Sequence, residues 1–113
     1  MPAHTPDELA TLIVERLSAH DVDGLVDLYE QDAVLALPDG SFAVGHAAIR
    51  EFYASLPEEQ AFQPGKQSPT LISGDLALTS TILGPTVATA EVARRQPDGT
   101  WRWLLDRPNV LAP

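Results

Sequence analysis

Cysteine is missing from this 113-residue chain, which excludes a disulfide framework and a thiolate metal centre. Cations are scarce: seven Lys and Arg stand against sixteen Asp and Glu, for a formal net charge of −9 at pH 7. Nucleic acids and anionic membrane surfaces both require clustered positive charge, so neither is expected as a partner. No apolar run approaches the roughly 18 residues that a membrane span needs. No charged segment followed by an apolar one opens the chain, so no signal peptide is read and a cytoplasmic location is expected. A glycine-rich phosphate loop, a His-Glu-x-x-His pair and a nucleophile elbow are also missing. His4, His20 and His46 are too far apart to suggest a metal set and read as surface residues. No cofactor or metal is expected.

What is present is one domain's worth of chain with its charge unevenly spread. Residues 1–59 carry twelve carboxylates against Arg16 and Arg50, whereas residues 60–113 carry four against Lys66, Arg94, Arg95, Arg102 and Arg107. The acidic part reads as solvated helix faces.

That first part has helix signals. Thr5-Pro6-Asp7-Glu8 is a capping box with proline at the first helical position, and Leu9, Leu12, Ile13 and Leu17 follow at helical spacing. Asp21 caps a second short helix carrying Val22, Leu25, Leu28 and Tyr29. A third, starting near Gly45, places Ile49, Phe52, Tyr53 and Leu56 on one stripe and stops at Pro57. Between the last two, Ala33 to Leu37 and Ser41 to Val44 read as strands about a Pro38-Asp39-Gly40 turn, with Asp39 a turn residue. The second part reads as strands at about 66–73, 75–83, 86–96 and 101–107, separated by Gly, Pro and Asp turns. Helices followed by a meander of strands indicate an α+β fold.

Asp21-Val22-Asp23-Gly24-Leu25-Val26, Leu28-Tyr29, Asp32-Ala33, Pro38-Asp39-Gly40, Gly45, Ala48-Ile49-Arg50-Glu51-Phe52-Tyr53 and Asp98-Gly99-Thr100-Trp101-Arg102-Trp103 form a series. It resembles the SnoaL-like and ketosteroid-isomerase-like proteins of the nuclear-transport-factor-2-like superfamily, over nearly the whole chain. The resemblance implies a cone: a curved antiparallel, cystatin-like sheet packed on three N-terminal helices, around an apolar pocket. It also implies a homodimer formed through the sheet. The superfold hosts isomerases, cyclases, hydrolases, dehydratases and non-catalytic binders.

Isomerases of this group use a carboxylate base, with a tyrosine and a protonated acid holding the enolate oxygen. By resemblance the base position falls on Leu37 and the oxyanion tyrosine on Ile13, so ketosteroid isomerisation by the usual arrangement is not expected. Tyr29 and Tyr53 match tyrosines that support the oxyanion tyrosine in some members. The protonated acid falls on Glu91, and Asp106 stands where the pocket wall is usually apolar. Ile13, Tyr29, Leu37, Tyr53 and Leu104 are the expected ligand-binding positions, and Glu91 and Asp106 the expected catalytic ones.

The sequence supplies a separate reason to pair those two acids. A hairpin centred between Asp98 and Gly99 places Glu91 opposite Asp106, with Cβ atoms roughly 4.5–5.5 Å apart. In an apolar pocket, mutual repulsion and desolvation would raise one pKa toward neutrality and give a shared-proton acid and base for enolisation or cyclisation. The same register puts Trp101, Trp103 and Leu105 on the opposite, more apolar face. By hydrophobicity alone that face is the core, and both acids meet water beside Arg95 and Arg102. The resemblance turns the acids toward the pocket and makes the tryptophans anchors of a sheet-to-sheet dimer. A three-residue loop or a bulge would break the pairing, and Arg107 could pair with Asp106 and lower its pKa. Three functions follow: proton transfer on an apolar carbonyl compound, non-catalytic binding of a small apolar molecule, and assembly through Trp101 and Trp103.

Overall fold

The capping signals produce the helices they announce. In the computed structural model, which describes residues 2–57 and 65–111, α1 spans Pro6–Ser18 and the Thr5 side chain accepts from the Glu8 amide at 3.3 Å. Asp21 accepts from the Gly24 amide at 3.0 Å and opens α2, Val22–Val26. This helix ends earlier than its spacing suggests. Leu28 lies beyond it, and Tyr29 opens the strand β1, Tyr29–Ala36. The cause is tertiary: the Leu28 carbonyl accepts from the Trp103 amide at 2.8 Å, so a distant strand captures backbone that helical spacing would have claimed.

After β2 (Phe42–Val44), Gly45 takes φ +87° and α3 runs over His46–Ala54. That backbone conformation suits glycine and few other residues. The strands β3 (Lys66–Gln67), β4 (Leu71–Ser73), β5 (Leu76–Thr79), β6 (Thr81–Ile82), β7 (Ala90–Arg95) and β8 (Trp101–Arg107) follow. Two expected long strands are thus each divided, 66–73 into β3 and β4, and 75–83 into β5 and β6.

Six strands form one sheet in the order β2-β1-β8-β7-β5-β4, and β3 pairs with β6 separately. All pairs in the main sheet are antiparallel except β1 with β8, which is parallel. The expectation of a wholly antiparallel sheet is corrected at that pair. A parallel pair needs a long crossover, and the chain between β1 and β8 supplies it.

Helical Leu9, Leu25, Val26 and Ile49 pack with Leu35, Ala43, Ala77, Ala93, Trp101 and Trp103 of the sheet in one buried cluster. Leu12, Ile13 and Leu17 on α1 are only partly buried against it, and Ile13 and Leu17 border a cavity beneath that helix. Among the described residues no helix is long and apolar enough to cross a membrane.

Candidate active site

The β7–β8 hairpin places the two carboxyls, and it does so by two departures from a simple hairpin that offset each other. At the turn, the Gln96 amide donates to the Thr100 carbonyl at 2.6 Å and the Gly99 amide to the Gln96 carbonyl at 2.9 Å. Three residues, Pro97, Asp98 and Gly99, lie between, with Gly99 at φ +85°. Near this turn Arg95 pairs with Trp101, Arg94 with Arg102 and Ala93 with Trp103. The next pair is Val92 with Leu105, so Leu104 is left over in a bulge. The bulge restores the offset introduced by the loop, and Glu91 stands opposite Asp106.

The bulge also decides which way the side chains face. Strand residues alternate between faces, and one extra residue reverses the alternation beyond it. Trp101 and Trp103 are buried at 7 % and 3 % exposure, Asp106 is buried at 6 %, and Leu105 is 46 % exposed. Tryptophans and carboxyls therefore share the inner face. The tryptophans are core residues, which corrects their assignment as exposed interface anchors. Leu104, expected at the pocket wall, is the bulge residue and does not line the cavity. Nor does Arg107 neutralise Asp106: Arg107 is exposed to water, and the Asp106 pKa moves up, not down.

Behind the carboxyl pair runs a hydrogen-bond chain. The Tyr29 hydroxyl donates to Asp106 Oδ2 at 2.5 Å and lies 2.7 Å from the Tyr53 hydroxyl. Tyr29 is fully buried, its ring centroid 5.6 Å from that of Trp103 and 6.2 Å from that of Tyr53. His46, expected as a surface residue, is half-buried and holds this strand from behind through an Nε2 contact of 2.8 Å to the Tyr29 carbonyl. Glu91 has its own partners, the Thr79 hydroxyl at 2.7 Å and Thr89.

Burial pushes Asp106 from the ordinary 3.8 up to about 7, and the Glu91 charge adds to the rise while the Tyr29 hydrogen bond opposes it. Burial also raises Glu91, against the lowering effect of the Thr89 and Thr79 hydroxyls. Both tyrosines are held above their usual range by burial first and by the Asp106 charge second.

The pair faces a cavity of about 810 Å³. Ile13, Leu37, Tyr53, Glu91, Trp103 and Asp106 line it, whereas Tyr29 stands one layer behind. Ile13 and Leu37 thus reach the expected wall as apolar residues. Asp39 stays in its turn, accepting from the Ser41 amide at 2.9 Å. Sequence reasoning missed Thr79, paired with Glu91 across β5 and β7, and Gln67, whose buried Nε2, like Trp103 Nε1, has no partner among the described residues. No local pattern marks either; both depend on non-local strand pairing. Among the described residues no group of His, Cys, Asp and Glu is arranged to hold a metal.

The fold that carries this site has relatives. The model of the SnoaL-like domain family matches residues 10–104. The chain belongs to the SnoaL-like domain family. Solved structures similar to this SnoaL-like domain include a ketosteroid isomerase-like protein from Erwinia carotovora atroseptica, 21% identical with TM-score 0.71, covering 88% of each chain. A putative calcium/calmodulin-dependent protein kinase type II association domain from Thiobacillus denitrificans is 18% identical with TM-score 0.72, covering 95% of each chain. An NTF2-like protein with a cystatin-like fold from Novosphingobium aromaticivorans is 20% identical with TM-score 0.61, covering 88% of this chain and 77% of that one. At these identities the likeness establishes the fold, and the chemistry of this SnoaL-like domain has to be argued from its own residues.

Proposed function

We propose that this SnoaL-like domain binds a small apolar carbonyl compound and moves a proton on it, with Glu91 and Asp106 as the working groups. The observation that carries the reading is the facing pair of buried carboxyls at the wall of an otherwise largely apolar cavity. Two like charges so placed do not both ionise readily, and the pair retains a proton near neutrality. Glu91, held by two threonine hydroxyls, is the member better suited to be the carboxylate. It takes the proton from the carbon beside the carbonyl. The proton held at Asp106 supplies the hydrogen bond that steadies the oxygen as its charge develops. Glu91 then returns the proton to the same or a neighbouring carbon, which leaves the domain unchanged and needs no cofactor. Trp103 Nε1 and Gln67 Nε2, without partners among the described residues, suit a ligand that brings acceptors, since a buried donor left unpaired costs about 1–3 kcal/mol.

The test is exchange of the α-hydrogens of 2-tetralone in deuterated water, followed by NMR. Acceleration by the wild type that is lost in both Glu91→Gln and Asp106→Asn supports proton transfer. Binding of the ketone with no acceleration leaves a non-catalytic binder, the second reading, which Leu37 and Ile13 favour by standing where a base and a hydroxyl are otherwise found.

We infer also that a second copy covers the outer face of the sheet. Strand register lines up Val44, Val34, Leu105, Val92, Leu78 and Leu71 in one apolar row across all six strands, and Val44, Leu105, Leu78 and Leu71 are 46–65 % exposed. An apolar row that crosses every strand of the sheet suits burial against the same row of a second copy. Light scattering of the wild type is expected to give a dimer, and Leu105→Asp a monomer; a wild-type monomer at high concentration overturns the interface.

A further inference from the structure

Tyr53 and Asp106 both border the cavity, and Tyr29, which does not, connects them from behind. A hydroxyl has one hydrogen to give. While Asp106 is ionised, Tyr29 must donate to it, so the Tyr29 oxygen accepts from Tyr53. The Tyr53 hydrogen is then spent inward, and Tyr53 offers the cavity only lone pairs. Once Asp106 carries a proton, it can donate to Tyr29, Tyr29 can donate to Tyr53, and the Tyr53 hydrogen is released toward the cavity. No heavy atom has to move; one proton arrives at Asp106 and two hydroxyl hydrogens reorient.

We propose that Tyr53–Tyr29–Asp106 is a reversible hydrogen-bond chain through which proton uptake at Asp106 turns Tyr53 from an acceptor into a donor, so that the cavity takes hydrogen-bond-accepting ligands together with a proton. Tyr29 is a positioning residue in this scheme, and Tyr53 the residue that sets ligand polarity. The inference rests on the reading that the cavity binds apolar carbonyl compounds. Titratable groups facing Asp106 are Tyr29 from β1, Tyr53 from α3 and Glu91 from β7; α1 brings Glu15 to the same cavity, and Arg107 follows on β8. Burial supports the switch, since it keeps Asp106 within reach of both protonation states near neutral pH.

Two probes with one apolar body separate the inference from the reading beneath it. Naphthalene has no hydrogen-bonding group, and 2-acetylnaphthalene adds one acceptor. With the wild type, naphthalene should bind equally between about pH 5.5 and 8.5, and 2-acetylnaphthalene should weaken about tenfold or more over that range as the donor form is depopulated. Calorimetry in two buffers of different ionisation heat should show proton uptake with the ketone alone. Tyr29→Phe should remove the pH dependence while naphthalene binding is retained, and Tyr53→Phe should remove the pH dependence as well. The Tyr29 result is decisive, because that side chain does not touch the cavity. A pH dependence that survives Tyr29→Phe means the ketone reads Asp106 directly and overturns the chain. So does a ketone affinity independent of pH in the wild type, with naphthalene still bound. If neither probe binds, the apolar-cavity reading fails and the chain's role in ligand choice fails with it.

Discussion

Asp98 and Asp106 stand on the same hairpin, one at its turn and one at its far end, and their surroundings drive them in opposite directions. Asp98 is solvated, and the Thr100 hydroxyl and amide, at 2.6 and 2.9 Å, hold its carboxyl below the usual range. Asp39 repeats that arrangement with Ser41 in the β1–β2 turn. Asp106 also accepts a short hydrogen bond, from Tyr29, yet burial and the Glu91 charge outweigh it. At Asp106 a single hydrogen bond does not offset full desolvation, whereas the solvated turn acids meet little such cost. The turn acids hold the fold in shape, and the buried acid is shifted toward holding a proton near neutral pH.

The largest disturbance to this contrast is deletion of Leu104. Without the bulge, either the tryptophans or Asp106 must leave the inner face. We expect a loss of about 3–5 kcal/mol, comparable to removing a buried tryptophan, read as a fall in the urea midpoint. Asp106→Asn acts next, and with a sign fixed by linkage. A folded pKa of about 7 above an unfolded 3.8 means that the native state binds the extra proton, so stability is full below the unfolded value and is lost as pH rises through the folded one. The variant should therefore match the wild type near pH 4 and exceed it near pH 8 by up to about 4 kcal/mol, on urea unfolding at both values.

Smaller effects sharpen the same contrast. Tyr53→Phe removes one buried hydrogen bond and should cost about 1 kcal/mol, measured by thermal unfolding at acid pH. Glu91→Gln should lower the pKa of Asp106, because the Glu91 charge is one of the two causes that raise it; carbon-detected NMR of the Asp106 carboxyl reads the direction. The smallest is Asp98→Ala. Its lowered pKa gives a stabilisation present above the unfolded carboxylate value and lost as pH falls through the folded one. The slight destabilisation of this variant at neutral pH should vanish on acidification, the reverse of the Asp106→Asn profile.

Much of the fold was legible in local chemistry. Thr5 and Asp21 cap the helices that their spacing announces, Pro38-Asp39-Gly40 makes its turn, and Glu91 meets Asp106. The last agreement came about through two unseen features: a three-residue loop and a bulge at Leu104, each of which alone would have broken the pairing. Leucine carries no bulge signal of the kind glycine gives, so the shared inner face of Trp103 and Asp106 could not be read from alternation. Tyr29 read as helical from its spacing, but this stretch of backbone is claimed by β8, far along the chain. The parallel β1–β8 pair and the Tyr29–Asp106 hydrogen bond, between residues 77 apart, are equally non-local. The site was legible as a pair of acids. Its supporting chain, Thr79 and the tyrosine relay, depended on sheet order that only the folded chain displays.

The most direct measurement is a pH titration of the Asp and Glu side-chain carboxyl carbons by NMR. A buried, proton-holding pair requires Asp106 to titrate at about 7 and Glu91 above the ordinary glutamate range, with each resonance sensing the other's transition. Ordinary values for both, in the range where solvated carboxyls titrate near about 4, would contradict the buried pair and the proton chemistry built on it.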